Sequence, residues 1–191
     1  MEFDLIVQSR YLPIRLPPVT VTILAIQITT WCFSRLLIPL GTGCNSCIAA
    51  GEWWRFLTPV FLHTDFSHLL SNCLSLLLLG AYLEPQLGKL RFCFLFLFTG
   101  ICGNIATYFL MPLSFIHVGA SGAIFGLLGM QLYLFYLQKR RYTKQHLTVF
   151  ILLLLFLVSM TFLENSVNIA AHLGGLLSGG ILSPFFTKEW G

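Results

Sequence analysis

Ser121 stands in the run Gly119-Ala120-Ser121-Gly122, at the head of an apolar stretch that continues to Met130. A serine hydroxyl is a weak nucleophile until a base takes its proton. Histidine, with an ordinary pKa of about 6.5, is the usual base, and His172 lies in a second apolar stretch. A third stretch carries His68 and Asn72, which at i and i+4 share one face of a helix. Acyl transfer through a tetrahedral intermediate needs donors aimed at the oxyanion, each contributing about 3–4 kcal/mol. His68, the Asn72 amide and the Ser121 backbone N–H are the candidates. The first turn of a helix has free N–H groups and a positive dipole end, so a serine at a helix start is well placed. Asp and Glu occur only at Glu2, Asp4, Glu52, Asp65, Glu84, Glu164 and Glu189. None falls within an apolar stretch near these residues, and Glu164 comes closest, at a helix end. The inventory points to a Ser121–His172 dyad instead of a triad.

The elements that must carry these residues are set by composition. The 191-residue chain is 57% hydrophobic and 9% charged, with a mean hydropathy of +0.83. A soluble domain carries about 25% charged residues, so the expectation is a multi-pass integral membrane protein. The length suits a single domain, residues 1–191. The net charge of +4 includes no nucleic-acid patch. The apolar stretch after Pro18 is long enough to span and does not read as a cleaved signal peptide.

Six stretches have roughly the 17–25 residues needed to cross the hydrocarbon core. They are approximately 18–40, 66–83, 91–111, 119–138, 147–164 and 166–186. None alternates as a membrane strand must, and helices satisfy their own backbone in lipid. The fold class is therefore all-α, a six-transmembrane-helix bundle. The fifth stretch, with Leu152 to Leu155, is the most uniformly apolar and is expected to face lipid.

With the N-terminus inside, nine basic residues are cytoplasmic: Arg10, Arg15, Lys89, Arg91, Lys139, Arg140, Arg141, Lys144 and Lys188. Two, Arg35 and Arg55, are outside. The positive-inside rule then places both termini in the cytoplasm. The basic cluster from Lys139 to Lys144 is a topology signal with weak attraction for anionic lipid. The outer connection, residues 41–65, holds Trp53, Trp54, Phe56 and Phe61, an aromatic density suited to the headgroup region.

This topology places His68, Asn72, Ser121 and His172 at one depth, within roughly 10 Å of the outer surface at 1.5 Å per helical residue. Polar groups in a membrane line a cavity or pair with each other. Gly119, Gly122, Gly126 and Gly129 surround Ser121, and Ala171, Gly175 and Gly179 repeat beside His172. Such faces let helix backbones approach closely. Taken alone they are packing seams; here each seam also carries one reactive residue at matched depth.

Other chemistries fail on inventory. The His-Glu-x-x-His motif of zinc proteases is absent, as is a pair of membrane aspartates, and His63 and His68 are a poor one-face metal pair. No metal and no cofactor is expected. Cys44-Asn-Ser-Cys47 has metal or disulfide spacing. Two cysteines are too few to argue zinc, and a disulfide requires an oxidising compartment. Cys32, Cys73, Cys93 and Cys102 read as packing residues. His63 and His117 read as ordinary interface histidines, and His146 as solvated on the cytoplasmic side. Asn104 and Tyr108 read as interhelical hydrogen-bonding residues.

Taken together, the residues resemble the rhomboid family of intramembrane serine proteases. The match runs through Glu52-x-Trp54-Arg55-x-x-Thr58, His63, His68 with Asn72, Gly119-Ala-Ser121-Gly122 and Ala171-His172-x-x-Gly175. It covers roughly residues 51–182, and these motifs in this order are highly specific. The resemblance implies the minimal six-span, prokaryotic-like form in the plasma (inner) membrane. It implies Ser121 as nucleophile, His172 as base, and His68 and Asn72 as oxyanion stabilisers. By the same resemblance Trp54-Arg55 is structural, the outer loop inserts sideways into the outer leaflet, and Glu84 with Gly88 is a structural Glu-x-x-x-Gly. The implied partners are single-span membrane substrates, cut near the outer face, and the lipid bilayer. Some members place a tyrosine four residues after the nucleophile; here Phe125 stands there, without a hydroxyl. The alternatives are a catalytically silent relative that binds membrane clients and a small transporter. Silent relatives typically lose the serine or histidine, and a transporter calls for charged coupling residues at the midplane, which the chain lacks.

Overall fold

The computed structural model describes residues 16–137, 144–163 and 167–187. Its long helices are α1 (Pro18–Cys32), α4 (Phe66–Leu87), α5 (Lys89–Leu110), α6 (Ser121–Leu137), α7 (Lys144–Leu163) and α8 (Ile169–Thr187). Two short helices, α2 (Ser34–Gly41) and α3 (Asn45–Ala49), and two 3₁₀ turns, Trp53–Phe56 and Thr58–Phe61, lie between α1 and α4. The strands β1 (Gly43–Cys44) and β2 (Ile116–His117) pair antiparallel, Gly43 opposite His117 and Cys44 opposite Ile116. Arg10, Arg15, Lys139, Arg140, Arg141, Glu164 and Lys188, used above for topology and for the missing acid, lie outside the described residues, and so does the His146 side chain.

By length and composition α4, α5 and α8 are each able to cross a membrane. The first expected span, 18–40, is not one helix. It breaks at Phe33 and turns by 102° into α2. Thr29, Thr30, Cys32 and Ser34 are weak helix formers, and the segment Trp53–Phe61 captures the carbonyls at the end of α2. The Arg55 guanidinium donates to Pro39 O (3.1 Å) and Thr42 O (2.9 Å). Trp54 Nε1 donates to Leu40 O, and the Thr58 hydroxyl to Gly41 O. A buried cation at a helix C-terminus meets both the orphan carbonyls and the dipole. Glu52 accepts from Arg55 Nε at 2.6 Å and completes the pairing.

The second span extends past its expected end at residue 83 to Leu87, through Glu84 and Pro85. Glu84 is buried, and its carboxylate caps another helix. Pro17 offers α1 no side-chain cap, so the N–H groups of Val19 and Thr20 donate to Glu84 at 2.9 and 2.7 Å, and the Thr20 hydroxyl adds a third bond at 2.8 Å. A Cβ on Gly80 would collide with Thr20, so the two helices meet closely at this point.

The core is built from α4, α5 and α6, with Leu76, Leu83, Phe92, Leu95, Phe96, Ala123, Leu127 and Met130 fully enclosed. Helices α6 and α8 run in the same direction in near-backbone contact. A Cβ on Gly175 would strike Gly122 O, and one on Gly179 would strike Gly126 O. Gly103 of α5 also packs closely on Ala171, where a Cβ would fall 2.7 Å from the carbonyl oxygen. In α7, among the side chains described, Leu147, Ile151, Leu152 and Leu155 are exposed, in keeping with a lipid-facing helix. Replacing Glu84 with Gln should lower stability by about 2–3 kcal/mol, because a charged acceptor of three bonds is lost. A double-mutant cycle with Thr20→Val, read by thermal unfolding in detergent, should be strongly non-additive.

Candidate functional site

Each polar cluster is delivered by a helix start. Asp65 caps α4, accepting from His68 N–H at 2.8 Å and from the Ser67 hydroxyl at 2.7 Å. Partial burial pushes its carboxyl up, but hydrogen bonds from Ser67, His68 N–H and Thr64 hold it below its ordinary value. Asn168 caps α8, accepting from Ala171 N–H at 3.0 Å, and its own amide donates to Thr107 Oγ1 of α5 at 2.8 Å. Ala171, the residue before His172, packs against Gly103 of α5. Asp65 and Asn168 were not singled out from the sequence as part of the site, although both stand one residue before an apolar run, where caps are preferred.

The start of α6 fits between α4 and α8. Gly119, at φ +118°, has its N–H bonded to Pro59 O at 2.9 Å. A Cβ there would fall 2.5 Å from His68 Nε2 and 3.8 Å from Asn72 Nδ2. Only glycine suits both the backbone angle and this contact. On the other side, Gly122 faces Ala171, 3.3 Å from its carbonyl oxygen by the same measure. Ser121 lies between these contacts. The His172 ring stacks on Phe125 with centroids 4.2 Å apart and planes 7° from parallel. Phe125 is four residues after Ser121, so His172 covers the helix face that Ser121 begins. The structure thus gathers the segments bearing His68, Asn72, Ser121 and His172 at one end of the bundle.

Asn72 is buried, and its amide donates one hydrogen to His68 O at 3.0 Å. That bond fixes the amide orientation and leaves its second hydrogen available. The buried His172 Nδ1 has no hydrogen-bond partner among the described residues. Among the described residues, no group of three or more His, Cys, Asp or Glu is arranged to hold a metal.

His63 and His117, expected as ordinary interface residues, are enclosed by protein. His63 packs edge-on against His68, with ring centroids 5.1 Å apart. Burial pushes its pKa down to about 3, the neighbouring His68 adds to the fall, and Asp65 opposes it. His117 shares a hydrogen bond between Nε2 and Asn104 Oδ1 at 3.1 Å, and burial lowers its pKa to about 4. Asn104 also donates to Phe56 O at 2.8 Å, so it ties α5 to the Trp53–Phe56 turn and to β2; Tyr108 packs its ring edge-on against Phe56. Nothing in the spacing of single histidines signals such contacts, because they depend on which side chains the fold packs around each ring.

Two outcomes are expected. Gly119→Ala should cost about 1–3 kcal/mol in backbone strain plus displacement of His68. Gly51→Ala, at φ +102° with nothing nearby, should show the strain alone, and unfolding midpoints measure the difference. Both buried histidines stay neutral in the folded protein down to about pH 4. Below the ordinary value of 6.5 the unfolded chain takes up protons that the folded one does not. Stability should therefore be full above pH 6.5 and fall as the pH drops towards 4, with a shallower fall for His117→Gln in thermal scans.

Residues 50–189 match the Rhomboid domain family. The chain is 44% identical over 177 residues to a Bacillus subtilis protein described as "Putative rhomboid protease YdcA", covering 89% of each. It is 36% identical over 146 residues to rhomboid protease GluP of the same organism, covering 76% of this chain and 28% of that protein. It is 32% identical over 187 residues to Rhomboid-like protease 1 of Toxoplasma gondii, covering 87% of this chain and 64% of that protein. With apolar helices of membrane-crossing length and this match over most of its sequence, the chain is an integral membrane protein and belongs to the rhomboid family.

Proposed function

We propose that the protein is an intramembrane serine endopeptidase that cleaves single-span membrane substrates near the outer membrane face. The observation that carries this reading is the seating of the Gly119–Gly122 run between His68 and Asn72 on one side and Ala171 on the other, with His172 stacked on the Ser121 face. Relatives described as rhomboid proteases support it.

In this mechanism Ser121 Oγ attacks the scissile carbonyl carbon as its proton passes to His172. The electron pair of the C=O bond moves to the oxygen, and that oxyanion is met by the Ser121 N–H, the free Asn72 amide hydrogen and His68. Collapse of the intermediate breaks the C–N bond, and His172 delivers its proton to the leaving amine. A water molecule then passes a proton to His172 as its oxygen bonds the acyl carbon; collapse of this second intermediate breaks the bond to Ser121 Oγ, His172 returns the proton to that oxygen, and the new carboxyl terminus leaves. Stacking on Phe125 holds the imidazole plane where no carboxylate orients it. The helices form a six-span bundle in the plasma membrane, both termini cytoplasmic, and the bent α2 with the Trp53–Phe61 segment rests in the outer leaflet.

One observation favours a second reading, a catalytically silent rhomboid-like protein that binds membrane clients. The unpartnered His172 Nδ1 leaves the tautomer without a hydrogen-bonding anchor. Co-expression with a panel of single-span reporters separates the two. Ser121→Ala and His172→Ala should each abolish cleavage in folded protein, and Asn72→Ala should slow it by about 10²–10³ if its amide is a main oxyanion donor. Undiminished cleavage by Ser121→Ala removes the dyad, and a wild type that binds reporters without cutting them establishes the silent reading.

A further inference from the structure

Cys44 and Cys47 are joined by a disulfide, and nothing in the chemistry above uses it. The entropic gain from a cross-link grows with the loop that it closes, and here the two residues are three apart. The surrounding backbone is already held. The Asn45 amide donates to the carbonyls of Thr107, Met111 and Pro112 at the end of α5. Asn45 N–H bonds Phe115 O, Glu52 N–H bonds Cys47 O, and Cys44 pairs with Ile116 across the β1–β2 ladder. A bridge that constrains so little in a segment fixed by other means is poorly explained as a staple.

The two sulfurs are also unlike. Cys44 is buried, whereas Cys47 is half-buried. Two donors converge on Cys44 Sγ: the Cys47 N–H at 3.2 Å and the Ser46 hydroxyl at 3.3 Å. Both would stabilise negative charge on that sulfur, which is what a leaving thiolate requires.

We propose that Cys44–Cys47 is an exchange-active disulfide, opened by an external thiol that attacks Cys47. The incoming thiolate forms a bond to Cys47 Sγ as the Cys44–Cys47 bond breaks. Its electron pair remains on Cys44 as a thiolate held by Cys47 N–H and the Ser46 hydroxyl. A second thiol attacks the outer sulfur of the mixed disulfide, so that two external thiols become one external disulfide and the protein gains two cysteine thiols. The reverse sequence reoxidises the pair.

The test uses the full chain in detergent micelles, equilibrated in glutathione buffers of graded ratio, quenched with acid, alkylated and mapped by mass spectrometry. Cys44 and Cys47 should gain label together and reversibly, with no change in the unfolding midpoint. Cys44→Ser should accumulate glutathione on Cys47 at least about tenfold faster than Cys47→Ser accumulates it on Cys44, as expected when burial limits access. Ser46→Ala should open about tenfold more slowly, the loss of one hydrogen bond to a charged sulfur. The proposal is overturned if the pair opens only when the protein unfolds, if both single-cysteine variants react equally, or if Ser46→Ala opens at the wild-type rate.

Discussion

Close contact between the backbones of α6 and α8 is the constraint on which the arrangement of this molecule depends. Gly122 and Gly126 of one helix meet Gly175 and Gly179 of the other where no Cβ fits. In lipid there is little hydrophobic drive to bring helices together, so dense packing of small residues supplies the attraction. The two helices run parallel, which keeps the Ser121 end of one level with the His172 end of the other. Gly103 of α5 approaches Ala171 by the same means. The three helices form a rigid frame, and a larger residue at any of these positions would move Ser121 relative to His172.

A second layer of order comes from orphan backbone groups that find partners on other elements. Glu84 caps α1 from α4, Arg55 caps α2 from the Trp53–Phe56 turn, Asn45 caps α5 from α3, and Asn168 links α8 to α5. Each buries a polar side chain and recovers the desolvation cost by satisfying groups that lipid or protein would otherwise leave bare. These bonds carry the bent α2 and the loop that places Pro59 O on Gly119 N–H. The Trp53–Phe61 segment is thereby joined to the entry of α6.

Membership of the rhomboid family and the physical layout agree in emphasis. The residues with unusual chemistry lie where helices begin, and the residues that make those beginnings stable are caps, glycines and buried histidines. His63 against His68, and His117 of β2 bonded to Asn104, show how much polar material is enclosed next to the candidate site.

Much was legible in the chain itself. Apolar length and the scarcity of charge required membrane helices, and the approximate position of each follows from where polar residues interrupt them. Spacing put His68 with Asn72 on one face, and the glycine repeats marked which faces of α6 and α8 could approach. These are local periodic properties, and a sequence carries them directly. The break at Phe33, the extension of α4 through Pro85, the disulfide left open by its spacing, and the partners of Glu84, Arg55, Asn104 and Asn168 were decided only by tertiary structure. Apart from the disulfide, which joins residues three apart, each depends on a donor or acceptor more than ten residues away, or on a packing contact that makes a locally unfavourable backbone the best available. Residue types state what a side chain can bond; only the folded arrangement selects which bond it makes.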